Sequence, residues 1–330
     1  MAAWCGWPAL LLISVLGACA TGGPLAVPPG ELGSDAESDP TTGLALSRWE
    51  AAEPKALILA VHGYGDYGAS TFAMAGPWWA ERGLTTIAYD QRGFGRNASR
   101  GYWPGVGALV EDLTQITASL RARHPCLPIV VVGHSMGGGV TLAAAPGLAA
   151  DGIVLAAPAI WGQEELNPFH RLLAWTAASI VPEKRFTGKG VVRIQASDNL
   201  AVLRGLARDP LYLRPPSARE IFGLVRVTDR AALASPAVTL PAILLLGARD
   251  EIVPNDAVER VFARTAGPRQ IRRYDEGWHL LFRDLQAEAV WRDVAEWVET
   301  LEPPEGCAID LAVSGQGAGR EIPSVAALRP

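Results

Sequence analysis

Short, uninterrupted apolar segments recur along the chain, separated by longer segments whose apolar residues lie three or four positions apart. Uninterrupted apolar segments are typical of strands buried on both faces. They predict strands at residues 57–61, 128–132, 153–156 and 242–246, and residues 84–89 and 270–274 are predicted as further strands of the same alternation. The longer segments predict helices at residues 70–82, 106–123, 136–149, 258–263 and 285–301. Strands that alternate with helices predict a mostly parallel sheet covered by helices.

This alternation stops between residues 159 and 234, where no buried strand is evident over a stretch far longer than the usual connection of roughly 2–6 residues. The stretch contains two apolar helical segments, 169–180 and 198–207, and Asp198 is expected to cap the second. It is interpreted as a helical cap inserted over the sheet; the alternative is a separate helical domain. The strand pattern resumes at residue 242, which favours insertion. The predicted core therefore comprises residues 41–158 and 235–302.

Both ends of the chain differ from this core. The uncharged apolar run at residues 8–18 is shorter than the roughly 20 residues of a membrane-spanning helix and has the length of a signal-peptide core. It ends in Leu16-Gly17-Ala18 and is followed by Cys19. These four residues resemble the lipobox of bacterial lipoproteins, although no Lys or Arg precedes the run. The expected arrangement is a signal peptide at residues 1–18 and a flexible tether at 19–40. Residues 303–330 are expected to form a disordered tail.

The lipobox resemblance implies that Cys19 is lipidated and anchors the protein in the bacterial cell envelope, on the periplasmic face of the outer membrane. Ala20 is not Asp, so the inner-membrane retention signal of lipoproteins is absent. The alternatives are an ordinary cleaved signal, which would make the protein periplasmic or secreted, and a wrongly assigned start codon.

Composition narrows the class of protein. The 330 residues are 49% hydrophobic and 19% charged, as expected for a globular protein. A formal net charge of −5 argues against a nucleic-acid partner, because binding a polyanion requires a basic surface. The cysteines lack metal-site spacing, so no metal site is predicted. Cys126 and Cys307 either pair as a disulfide or remain free thiols.

The candidate nucleophile is Ser135, in the sequence Gly133-His134-Ser135-Met136-Gly137. This G-x-S-x-G segment directly follows a predicted strand and begins a predicted helix, the context of a nucleophile elbow. Small residues at Gly133 and Gly137 allow the strand and the helix to approach closely, so the serine hydroxyl is exposed for attack. The alternative is a glycine-rich turn with an idle serine.

A serine nucleophile needs a general base, and the base needs an acid that orients it. In folds with a nucleophile elbow, the acid follows the serine along the chain and the histidine follows the acid. Only His170 and His279 lie far enough along the chain, and His170 falls within an apolar cap helix. His279 follows the last strand and is therefore the predicted base. Asp250, just beyond the strand at 242–246, is the predicted acid; Glu251, Asp256 and Asp275 are its rivals.

An oxyanion hole needs two backbone N–H donors. The predicted donors are Met136, directly after the nucleophile, and Tyr64, in the loop after the first predicted strand. His62 is interpreted as structural, hydrogen-bonding within that loop. The loop that begins at Asp90 lacks the spacing of a nucleotide-binding motif and is interpreted as a tight turn held by Asp90.

Five motifs occur in order along the chain: HGYGDY at residues 62–67, DQRGFG at 90–95, GHSMGG at 133–138, GARD at 247–250 and WH at 278–279. Together they resemble those of α/β-hydrolases of the monoacylglycerol lipase and lysophospholipase branch, also called serine aminopeptidase-like hydrolases. The resemblance covers about residues 41–302. It implies an α/β-hydrolase fold with a mostly parallel eight-stranded sheet and a cap, no cofactor, and Ser135, Asp250 and His279 as the catalytic triad.

The expected activity is hydrolysis of carboxylic esters, with single-chain lipids such as monoacylglycerols or lysophospholipids as substrates. Phe169, Leu173 and Trp175 of the cap are expected to line an acyl tunnel; the alternative is that they form the core of the cap itself. The rival functions are a short-chain esterase or peptidase with the same triad, and a catalytically silent surface lipoprotein that serves as a scaffold.

Overall fold

The computed structural model describes residues 37–162, 168–186, 194–213, 215–304 and 307. The strands are β1 (Leu46–Trp49), β2 (Ala56–Val61), β3 (Leu84–Tyr89), β4 (Ile129–His134), β5 (Gly152–Ala156), β6 (Ala242–Gly247) and β7 (Arg269–Tyr274). The helices are α1 (Gly68–Thr71), α2 (Ala75–Ala80), α3 (Val106–Arg123), α4 (Met136–Ala144), α5 (Pro168–Ile180), α6 (Leu200–Arg208), α7 (Ala218–Ala234), α8 (Asn255–Phe262) and α9 (Ala287–Glu299). Within these residues, no helix has the length and apolarity needed to cross a membrane.

The strands form one sheet in the order β1-β3-β2-β4-β5-β6-β7, in which only β1 runs antiparallel to its neighbour. The mostly parallel α/β-hydrolase sheet is confirmed, but the described residues contribute seven strands where eight were expected. Among the residues described before β1, Ser38 forms an isolated bridge with Ala45. The Asp39 carboxylate accepts hydrogen bonds from the N–H groups of Thr41 and Thr42, so the chain reverses there and does not extend the sheet.

Two apolar clusters cover the two faces of the sheet. On one face, side chains of β2, β4 and β6 pack against α3, α4 and α8. On the other face, Phe72 and Trp79 lie with side chains of α9, and the Trp79 indole donates a hydrogen bond to Trp291 O at 2.9 Å. The central strands are buried along their whole length, which explains why they were evident in the sequence. This rigid sheet holds the loops at its carboxyl edge in place.

Helices α5, α6 and α7 lie between β5 and β6, in the stretch interpreted as a cap insertion. The sequence prediction missed α7, whose start is fixed by a capping box between Ser217 and Glu220. Its Val227 and Ala231 belong to the core cluster that contains α4. The expected cap of α6 was wrong by one residue: Asn199 accepts from the N–H of Val202. Asp198 instead accepts a hydrogen bond from the N–H of Leu285.

The helix predicted at residues 70–82 is interrupted and forms α1 and α2 instead. Pro77 explains the break, because a proline has no N–H to donate and fits only the first turn of a helix. A new helix therefore begins at Ala75, two residues before it.

Cys126 and Cys307 form a disulfide. The bond joins the loop between α3 and β4 to the chain beyond α9, across a sequence separation of 181 residues. Cys307 falls within the segment predicted to be a disordered tail, so at least this residue is tied to the core. The sequence had left open whether the two thiols pair.

Candidate active site

Ser135 occupies the sharp turn between β4 and α4, with φ 52° and ψ −118°. This left-handed conformation is unfavourable for a residue with a side chain and is a form of strain found at functional sites. Neighbouring backbone enforces the turn: a Cβ at Gly137 would lie 2.2 Å from the carbonyl oxygen of Val61, and one at Gly133 would lie 2.6 Å from that of Gly137. Only glycine fits at both positions, as the sequence pattern predicted.

The structure brings His279 to Ser135. The imidazole Nε2 lies 3.0 Å from Ser135 Oγ, and the side chain is buried in the loop between β7 and α9. Nucleophile and base are separated by 144 residues in sequence. The pair has the geometry in which a histidine accepts the hydroxyl proton.

Asp250 completes the arrangement, because its Oδ2 lies 2.8 Å from His279 Nδ1. Its Oδ1 accepts hydrogen bonds from the N–H groups of Ile252 and Val253 at 2.7 and 3.0 Å. Burial by itself raises the pKa of Asp250, but His279 and the two N–H donors outweigh burial and bring its pKa below the ordinary value. The ionised carboxylate holds the proton of His279 on Nδ1, which leaves Nε2 free to accept from Ser135.

None of the rival acids occupies this position. Glu251 accepts a hydrogen bond from the N–H of Gln195, while Asp256 and Asp275 are exposed to solvent. Within the described ranges, no three His, Cys, Asp or Glu side chains are grouped as they would be around a metal ion.

His134 supports the site in a way that sequence reasoning missed. Its buried ring donates from Nε2 to the backbone carbonyl oxygen of His279, 2.9 Å away. Burial lowers the pKa of His134 to about 3, so the ring stays neutral and acts as a donor at neutral pH. The only sequence signal was its position beside the nucleophile, which does not reveal its partner.

The structural interpretation of His62 is confirmed. Its Nδ1 lies 2.8 Å from Gly63 O, and its Nε2 accepts from the N–H of Gln91 at 2.8 Å. Burial lowers the pKa of His62, in agreement with a neutral ring. The turn held by Asp90 is also confirmed, because this carboxylate accepts from the N–H groups of Gly68 and Arg96.

The two predicted oxyanion donors belong to segments that adjoin the nucleophile. Met136 begins α4, where the first N–H groups of a helix have no partner within the helix. Tyr64 follows Gly63, which is close to the nucleophile: a Cβ at Gly63 would lie 3.2 Å from Ser135 Cβ. The loop that carries Tyr64 is therefore in contact with the elbow.

The predicted acyl-binding residues lie on α5, in the stretch interpreted as a cap. Phe169 and Trp175 are 65% and 53% exposed, and Leu173 is half-buried. Exposure of this size shows that the described residues do not enclose Phe169 or Trp175. Together with Leu172 they give α5 an apolar face towards solvent.

Comparison with known proteins finds related hydrolases and lipases. A profile of the serine aminopeptidase (S33) hydrolase family matches residues 52–286. The chain is 26% identical over 257 residues to a monoacylglycerol lipase of Mycolicibacterium smegmatis, covering 74% of this chain and 89% of that protein. It is 26% identical over 264 residues to the human monoglyceride lipase, covering 77% and 86%. A Paleococcus ferrophilus monoacylglycerol lipase structure superposes with a TM-score of 0.65 at 20% identity, over 77% of this chain and 98% of that chain.

Proposed function

The chain belongs to the serine aminopeptidase (S33) family of hydrolases, and from that premise we propose that it cleaves single-chain lipid esters through an acyl-enzyme at Ser135. It is a carboxylic-ester hydrolase with the α/β-hydrolase fold. The observation that carries the proposal is the hydrogen-bond chain from Asp250 through His279 to Ser135, at 2.8 and 3.0 Å.

The reaction proceeds in two steps. Ser135 Oγ attacks the ester carbonyl while His279 Nε2 takes its proton, and the tetrahedral oxyanion accepts hydrogen bonds from the N–H groups of Tyr64 and Met136. The C–O bond to the alcohol then breaks, and His279 returns the proton to the leaving alkoxide. A water molecule, deprotonated by His279, attacks the acyl-enzyme, and the acid leaves as the proton returns to Ser135. Asp250 stabilises the imidazolium in each step.

Monoacylglycerols or lysophospholipids are the proposed substrates. The names of the related monoacylglycerol lipases support this choice. The apolar face of α5, with Phe169 and Trp175 more than half exposed, offers a surface to an acyl chain that approaches from a membrane. Leu173, half-buried on the same helix, is proposed to contact the chain closer to the site.

A series of p-nitrophenyl esters from two to sixteen carbons tests the lipid proposal. The rate of the wild type is expected to rise with chain length. Leu173→Asp is expected to reduce kcat/KM for long-chain esters by about tenfold or more, because a carboxylate desolvated by an acyl chain is costly, and to change short-chain rates little.

Leu233→Asp is the control. Leu233 on α7 is 73% exposed, so its substitution should not change kcat/KM for esters of any chain length. An equal loss for short and long esters in Leu173→Asp would rule out the acyl contact. Wild-type activity confined to two to four carbons would indicate a short-chain esterase, and no activity at any length would favour a peptidase or a silent scaffold.

We also propose that the mature protein begins at a lipid-modified Cys19 and resides in the cell envelope. The resemblance of residues 16–19 to a lipobox supports this, and so does the Cys126–Cys307 disulfide, because disulfides persist in oxidising compartments.

Mass spectrometry of the mature protein tests the anchor. The wild type is expected to fractionate with membranes and to yield an amino-terminal peptide that starts at acylated Cys19. Cys19→Ala is expected to lose the acyl mass, whereas Cys5→Ala, within the predicted signal peptide, should keep it. An unmodified Cys19 in the wild type would contradict the proposal.

A further inference from the structure

A buried ion pair links the two loops that flank the nucleophile. The Arg283 guanidinium donates to Asp66 Oδ2 and, at 3.1 Å, to Ser70 Oγ. Arg283 and Asp66 are only 4% and 2% exposed. Buried ion pairs are often no more stabilising than apolar side chains of similar size, so stability alone is a weak explanation for this one.

At one end, Asp66 holds the loop that carries Tyr64. Its Oδ1 accepts from the N–H of Tyr67 at 2.9 Å, and its own N–H points to Gly63 O at 3.4 Å. Burial alone raises the pKa of Asp66, but the guanidinium of Arg283 outweighs burial and brings its pKa below the ordinary value. The ionised Asp66 therefore fixes a loop whose Gly63 lies against Ser135.

At the other end, Arg283 holds the loop that carries His279. The backbone N–H of Arg283 donates to Leu280 O at 2.7 Å, and this bond closes a turn directly after His279. The next residue, Asp284, accepts from the N–H of Trp278 at 2.8 Å. The residues on both sides of His279 are thus bonded to the segment that Arg283 anchors.

We propose that Asp66 and Arg283 are positioning residues that set the distance between the Tyr64 N–H and His279. The inference rests on the proposed function, in which Tyr64 stabilises the oxyanion while His279 transfers the proton. Asp250 orients His279 towards Ser135, but none of the hydrogen bonds described for Asp250 reaches the loop that carries Tyr64. The ion pair constrains the Tyr64 loop relative to His279. This constraint matters for stabilisation of the transition state and little for substrate binding.

Five variants separate positioning from stability. Asp66→Asn and Arg283→Met each leave one buried charge without its partner and can fail to fold, so the decisive variant is the double Asp66→Asn/Arg283→Met, which removes both charges. Arg283→Lys tests rescue, because it keeps the charge but not the guanidinium fork. Asp151→Asn is the control: it removes the Arg121–Asp151 pair near the start of β4, at the opposite edge of the sheet from Ser135.

Active sites are counted by labelling one sample to completion with a fluorophosphonate. On unlabelled enzyme, kcat per active site and KM are then measured with p-nitrophenyl butyrate. The double variant is expected to lose kcat by about 10- to 100-fold, somewhat less than loss of a whole oxyanion donor, with KM changed less than about threefold. Affinity for a trifluoromethyl ketone, which forms a bound oxyanion, is expected to fall in parallel with kcat/KM. Arg283→Lys should regain part of kcat, and Asp151→Asn should lower Tm alone.

Unchanged kcat per site in the double variant, with only a lower Tm, would show that the pair is a structural link and would overturn the proposal. A rise in KM at constant kcat would also overturn it, because it would assign the pair to substrate binding. If the wild type neither hydrolyses esters nor reacts with the fluorophosphonate, the proposed function fails, and positioning fails with it.

Discussion

Ser135→Ala is expected to slow ester hydrolysis by about 10⁵- to 10⁶-fold in kcat. The variant lacks the atom that forms the acyl-enzyme, so only the oxyanion donors and substrate binding remain to accelerate attack by water. Fold and stability should change little, because the hydroxyl is small and His279 Nε2 stays within reach of water at the site. The measurement is kcat for a p-nitrophenyl ester, together with labelling by a fluorophosphonate, which should be abolished.

Ser119→Ala is the matched serine control. Ser119 lies on α3, where its hydroxyl accepts from Thr41 at 3.2 Å, away from the site. It is expected to keep wild-type kcat and full labelling. If Ser135→Ala retained more than about one hundredth of the wild-type rate and still reacted with the fluorophosphonate, another residue would have to be the nucleophile.

Asp250→Asn is expected to lower kcat by about 10⁴-fold with little change in KM. Asn can take the place of Asp250 sterically and can still accept from the N–H groups of Ile252 and Val253 through Oδ1. Its amide nitrogen, however, donates to His279 Nδ1 where the carboxylate accepted. The imidazole proton then moves to Nε2, which can no longer accept the hydroxyl proton of Ser135.

Asp256→Asn provides the comparison, because Asp256 lies on α8 six residues along the chain and is exposed. Its kcat should match that of the wild type. A loss of less than about tenfold in Asp250→Asn would show that another acid orients His279, and a parallel loss in Asp256→Asn would point to a general effect of charge.

Much of the sheet could be predicted because parallel strands are buried on both faces. The prediction of β3 matches the structure, and β2 and β6 differ from their predictions by a single residue at one end. Helix α7 was missed because charged and small residues interrupt its apolar pattern, and Glu220 and Asp229 are among its buried residues. Its position on α4 is decided by packing that no local pattern shows.

The candidate triad could be proposed from local signals that share one edge of the sheet. Each residue follows a recognisable strand, and the carboxyl ends of parallel strands point the same way. The supporting contacts carry no such signal. Arg283 and Asp66 are 217 residues apart, and His134 and His279 are 145 apart. Neither pair has a spacing that distinguishes it from chance.

The sequence by itself predicted six of the seven described strands, their alternation with helices, the elbow at Ser135, and His279 and Asp250 as its candidate partners, because each prediction depends on a local pattern or on chain order. Only the tertiary structure decided the pairing of Cys126 with Cys307, the antiparallel pairing of β1 with β3 and the ion pair between Asp66 and Arg283. These depend on which distant segments come into contact, and contact is set by the packing of the whole core.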